Sequence, residues 1–117
     1  MRFTLSLATV VFAALAPLSA SAHALLDHAE PRVGNTVPAA PREVRLWFTQ
    51  KLEQAFSAVE VTDGSGQRVD TGKPRVSGNE MAVSVRALGP GSYRVNWKVL
   101  SVDTHATDGN FSFTVGK

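Results

Sequence analysis

The sequence predicts an all-β chain folded as a small antiparallel sandwich or barrel of about seven strands. Three observations predict it. Apolar residues recur at every second position in several short runs, the period of a strand with one buried face. Clusters of Gly, Pro, Asn and Asp separate these runs at short intervals. Beyond the first 22 residues no segment carries a helical period, and short strands with turn signals then point to a sandwich or barrel.

In chain order, residues 24 to 29 read as a first short strand, ended by Glu30-Pro31, because proline is tolerated only at a strand edge or turn. Residues 31 to 42, with Pro31, Gly34, Asn35, Pro38 and Pro41, read as a loop. Val44, Leu46 and Phe48 alternate with Arg45 and Trp47 as a half-buried strand. Residues 56 to 62 supply another, with Val59 and Val61 on one face, and Asp63-Gly64-Ser65-Gly66 is a turn. The polar segment 68 to 79 reads as loop with at most one short edge strand. Met81, Val83 and Val85 alternate, and Gly89-Pro90-Gly91 turns the chain into the strongest alternating run, Tyr93, Val95, Trp97 and Val99. A loop from 101 to 109 follows, and Phe111, Phe113 and Val115 form the last strand.

Residues 1 to 22 read as a secretory signal: Arg2 is a short positive region, residues 3 to 15 are apolar, and Ala20-Ser21-Ala22 is a small-x-small cleavage site. Removing 22 of the 117 residues leaves 95, one domain from 23 to 117. Loss of Arg2 takes Lys+Arg from 12 to 11 against ten acidic residues, so the net charge falls from +2 to +1. Near neutrality with scattered cations argues against nucleic acid and anionic lipid as partners. No apolar run of membrane-spanning length follows the signal, so a soluble periplasmic product is expected. With no Cys, stability must come from the core, the turns and any bound metal.

The chemistry gathers in Ser101-Val102-Asp103-Thr104-His105, which sets a carboxylate and an imidazole two residues apart. On an extended backbone Asp103 and His105 point the same way. Such a pair suits copper(II), nickel or zinc better than a soft ion, yet two ligands rarely suffice. Cleavage after Ala22 would make His23 the first residue, with a free α-amine beside its imidazole, and that pair can chelate a metal. Amine and ring from His23 with Asp103 and His105 make three nitrogens and one oxygen, a set that fits tetragonal copper(II).

Over nearly the whole length after the signal, the chain resembles the CopC family of periplasmic copper-resistance proteins. The resemblance lies in His23-Ala24-Leu25 with Glu30-Pro31, in Val44-Arg45-Leu46-Trp47-Phe48, in Gly91-Ser92-Tyr93-Arg94-Val95-Asn96-Trp97, and in Ser101-Val102-Asp103-Thr104-His105 with Gly109-Asn110-Phe111-Ser112-Phe113. It implies an immunoglobulin-like Greek-key β-sandwich or barrel that binds copper(II) through His23, Asp103 and His105. It also implies a role in copper resistance or homeostasis without catalysis, with a CopD-like inner-membrane protein as partner. A Glu often found in the family near the N-terminal His is replaced here by Gln50. Some relatives hold copper(I) in a Met-rich site, but here Met1 leaves with the signal and Met81 stands alone, so the resemblance is to the copper(II)-only subgroup.

Other residues have plainer readings. His28 lies five residues past His23, which on a regular strand puts it on the opposite face, as an exposed or hydrogen-bonded histidine. Asp27 and Asp108 could orient ligating imidazoles from an outer shell, but solvated charge is the simpler reading. Strand period makes most of Tyr93, Trp97, Phe48, Phe111 and Phe113 core, with Trp47 partly exposed. Two other functions compete. A copper monooxygenase also uses an N-terminal His chelate, but Asp103 would fill the position that oxygen needs and 95 residues leave no long substrate-binding loops. A metal-independent immunoglobulin-like interaction module would show no copper binding.

Overall fold

The computed structural model describes residues 24–117, so the signal reading of 1 to 22 and the expected ligand His23 lie outside the described residues. Among the described residues, eight strands make two four-stranded sheets, joined by loops that include one short 3-10 turn. In the first sheet β1 (Leu26–Glu30), β3 (Glu43–Phe48), β6 (Glu80–Val85) and β5 (Asp70–Ser77) lie in the order β1-β3-β6-β5. In the second β2 (Thr36–Val37), β8 (Ala106–Val115), β7 (Gly91–Leu100) and β4 (Ala58–Thr62) lie in the order β2-β8-β7-β4. The fold is the small β-sandwich that the alternation predicts, with one strand more than the seven or so expected.

The inner faces are the alternating residues themselves. Val44, Leu46 and Phe48 from β3, Met81 and Val83 from β6, Val59 and Val61 from β4, Tyr93, Val95, Trp97 and Val99 from β7, and Phe111, Phe113 and Val115 from β8 are all buried in one core. Each large apolar side chain so buried contributes about 1.5–3 kcal/mol. The Phe48 and Trp97 rings meet edge to face with centroids 5.0 Å apart and so tie the two sheets together. Trp97 is paired with Gly109 on β8, and a Cβ built on Gly109 would stand 2.5 Å from Trp97 Cζ2. The indole therefore fills the space that a side chain at 109 would need.

Four segments differ from the sequence reading. The 31–42 loop contains the two-residue β2, which runs parallel to the end of β8. Residues 54–56 form a 3-10 turn rather than the start of β4, and Phe56 is 68% exposed. The segment 68–79 holds the eight-residue β5, a full edge strand whose register shifts between Thr71 and Arg75, around Pro74. The loop expected from 101 to 109 is shorter, because β8 already begins at Ala106.

β1 also breaks its alternation. Its register jumps between Leu26 and His28, leaving Asp27 as an extra residue, so that Asp27 and His28 both face solvent. The regular alternation on which the reading of His28 rests is therefore interrupted at Asp27. The plain reading of His28 still holds: it is exposed, bonded to Asp27 Oδ2 at 2.7 Å, and stacked on Trp47 with ring centroids 4.4 Å apart.

Candidate metal centre

The hairpin between β7 and β8, the two longest strands, carries Asp103 and His105. Its backbone closes tightly. Ser101 N–H donates to His105 O at 3.0 Å and Thr104 N–H donates to Ser101 O at 2.8 Å, which leaves a loop of three residues. Thr104 adopts φ +71°, the left-handed conformation that such a loop requires at that position. Asp103 and His105 are thus brought together by a turn, where the sequence reading had used an extended backbone. His105 Nδ1 lies 3.3 Å from Asp103 Oδ1. Two donors each about 2.0 Å from one ion stand about 2.8 Å apart at a right angle and about 3.3 Å apart at a tetrahedral angle, so the spacing falls within the range for a shared first-row ion.

The base of the loop is fixed from both sides. Leu52 bridges to Ser101, Glu53 N–H donates to Leu100 O at 2.8 Å, and Val102 N–H donates to Lys51 O at 3.0 Å. Ser101 is fully buried; its hydroxyl donates to Asp103 Oδ1 and accepts from His105 N–H at 3.4 Å. The Ser101 hydroxyl, and after it the His105 ring, hold the Asp103 carboxyl below its ordinary value, so it is an anion ready to ligate at neutral pH. The side chains of His105 and Asp103 are 44% and 43% exposed, while His105 Nδ1, 3.3 Å from the carboxylate, is itself buried.

The start of the described chain is strapped alongside. Ala24 is fully buried, and its carbonyl accepts from Thr107 Oγ1 at 2.6 Å, two residues beyond His105. Leu25 exchanges two bonds with Thr49, its N–H donating to Thr49 Oγ1 and its carbonyl accepting from Thr49 N–H, each at 2.9 Å. The half-buried Gln50 lies in the same segment, whereas Asp27 and Asp108 are exposed. Among the described residues no group of three or more His, Cys, Asp and Glu side chains could hold a metal, so Asp103 and His105 need donors from elsewhere.

Sequence reasoning missed two contributors. Ser101 continues the inward series Tyr93, Val95, Trp97 and Val99, and a polar residue ending an apolar face was the available signal. Thr107 had none, since its partner is 83 residues away.

Fold and paired donors define a class: a single β-sandwich domain that presents ligand-type side chains from a hairpin at one end. The CopC domain model matches residues 26–116, and the chain belongs to the CopC family. It is 36% identical to copper resistance protein C of Xanthomonas campestris pv. juglandis, over 91% of this chain and 90% of that one. It is 29% identical to the copper transport protein CutJ of Bacillus subtilis, over 92% of this chain but 21% of that protein. Its fold matches the crystal structure of CopC from Methylosinus trichosporium OB3b with a TM-score of 0.76 and 32% identity, covering 80% of this chain and 94% of that chain. Among the described residues no helix is long and apolar enough to cross a membrane.

Proposed function

We propose that this is a periplasmic copper(II)-binding protein that buffers the ion or hands it to a membrane partner, with His23, Asp103 and His105 as ligands. The observation that carries the reading is the strap. Ala24 is bonded to Thr107 beside the loop, and peptide geometry keeps residue 23 one Cα step, about 3.8 Å, from Ala24. A terminal His23 would add its amine and imidazole to the pair from the loop. Family membership and the copper-named relatives support the choice of ion.

The donor chemistry favours the oxidised ion. There is no Cys, and Met81, the one methionine after Met1, is buried in β6 with no exposed surface, so no thioether cluster can hold copper(I). Reduction should release the metal. The match to a fifth of a protein named for copper transport supports a role in passing copper on, and the partner in this reading is a CopD-like membrane protein. The chain's own residues supply the binding step: Asp103 brings a negative charge that offsets the cation, the imidazole of His105 must give up its proton, and the α-amine, ordinarily near 7.7–8.0, must do the same.

The test is a copper(II) titration, with electron paramagnetic resonance spectra, of protein beginning at His23 and of the same protein with one residue before it. We expect the extended form to fold equally well and bind much more weakly, because its amine has become an amide. Equal affinity in the two forms would remove His23 from the site.

A further inference from the structure

One buried polar side chain at this end of the molecule has no role in the ligand set. Ser101 occupies a core-facing position with no exposed surface, following Tyr93, Val95, Trp97 and Val99 on the inner face of β7. Leaving a hydroxyl there without partners would cost about 1–3 kcal/mol, so its hydrogen bonds decide what it contributes. All of those within the site's hairpin go to the two proposed ligand residues. Its Oγ donates to Asp103 Oδ1, stands 3.2 Å from His105 O, and receives His105 N–H. The carboxylate it touches is carried on a half-exposed side chain at the tip of the turn.

We propose that Ser101 is the positioning residue of the site: its buried hydroxyl holds the Asp103 carboxylate in the orientation that meets the ion, and it acts on the metal only through that carboxylate. This rests on Asp103 and His105 being ligands, as proposed above. The physical reason is preorganisation. A carboxylate fixed beside its imidazole before the ion arrives loses little freedom on binding, whereas a free one must be ordered at the expense of affinity.

The experiment measures copper(II) affinity by chelator competition, together with the paramagnetic resonance spectrum, for the protein starting at His23. The variants are Ser101→Ala, Asp103→Ala and the double variant, with folding checked by circular dichroism. Ser101→Ala should bind about 10–100-fold more weakly, the usual loss for a residue that orients a ligand, with altered copper hyperfine splitting. In the Asp103→Ala background the same change should cost no further affinity. An equal loss in that background would assign Ser101 to loop folding and overturn the proposal. So would unchanged affinity and spectrum in Ser101→Ala while Asp103→Ala is weakened. Normal affinity in Asp103→Ala alone would sink the ligand assignment, and this inference with it. Should Ser101→Ala not fold, Ser101→Thr against Ser101→Val gives the same comparison at one shape, and equal binding by these two would overturn the proposal.

Discussion

Two hairpin loops in this molecule share one backbone and use it oppositely. In the 63–67 loop Asp63 N–H donates to Gln67 O at 2.9 Å and Gly66 N–H to Asp63 O at 2.9 Å; in the 101–105 loop Ser101 and Thr104 make the corresponding bonds. Position by position, Asp63 matches Ser101, Ser65 matches Asp103, Gly66 matches Thr104 and Gln67 matches His105. In the first loop the leading carboxylate spends itself on the turn, its Oδ1 accepting from Ser65 N–H, Ser65 Oγ and Gln67 N–H. Glycine takes the left-handed position, at φ +86°. In the second loop a serine does the internal bonding, the carboxylate moves two places on to stand beside an imidazole, and a β-branched threonine accepts the strained conformation. The first loop follows the local rules and turns its leading carboxylate inward on the turn, while the second breaks them at the residues that face solvent with metal-ligating groups.

The largest effect that would test this contrast is on affinity. Asp103→Ala and His105→Ala should each weaken copper(II) binding by more than the roughly 100-fold seen for orienting residues. Asp63→Ala should leave the affinity alone and lower only the melting temperature. Copper loss in the Asp63 variant would erase the division of labour between the loops.

Exchanging the strained position separates stability from binding. Gly66→Thr should cost about 1–2 kcal/mol in urea unfolding from left-handed strain alone, since nothing lies within 4 Å of the added Cβ. Thr104→Gly removes that strain but adds backbone freedom to the unfolded chain, so stability should move by less than about 1 kcal/mol. A large destabilisation by Thr104→Gly would mean that the threonine contributes more to the fold than its strain takes away.

Acid should act on both loops and on the start of β5. The Ser65 hydroxyl and then the Gln67 amide lower the Asp63 carboxyl, and the Ser101 hydroxyl lowers that of Asp103. Burial pushes Asp70 up, but Arg68 and the Val61 N–H outweigh it and leave it below 3.8. A carboxyl lower in the folded state stabilises the fold above its unfolded value, and that contribution goes as pH falls through the folded value. Metal-free protein should therefore keep a constant unfolding midpoint from pH 7 to about 5 and lose stability below about 3.8. A loss already under way at pH 6 would point to a histidine instead. The smallest effect concerns His28→Ala, which should leave copper affinity unchanged, and a loss like that of His105→Ala would bring His28 into the site.

What could be read from the sequence follows from burial. β3, β6, β7 and β8 each bury one face, so their alternation was visible. β5 is an edge strand with most of its residues exposed, and its polar run looked like a loop. β2, two residues long, is too short to show a period. Asp103 and His105 were legible because their chemistry is rare and their spacing local. The bulge at Asp27 was hidden, because it is set by pairing with β3, and so was the grip of Thr107 on Ala24, because sequence order carries no trace of it.

The indole laid over Gly109 has a further consequence, for the alignment of the two strands that carry the loop. Alternation alone permits β8 to slip two residues along β7, since every side chain would keep its face. Such a slip would bring Thr107 or Phe111 opposite Trp97, where only a residue without a Cβ leaves room for the ring. Trp97 and Gly109 act as a key and slot that admit one alignment. A slipped pairing would lengthen or shorten the connection between the strands and part Asp103 from His105, so the spacing of the proposed ligands is set by a glycine that never touches the ion.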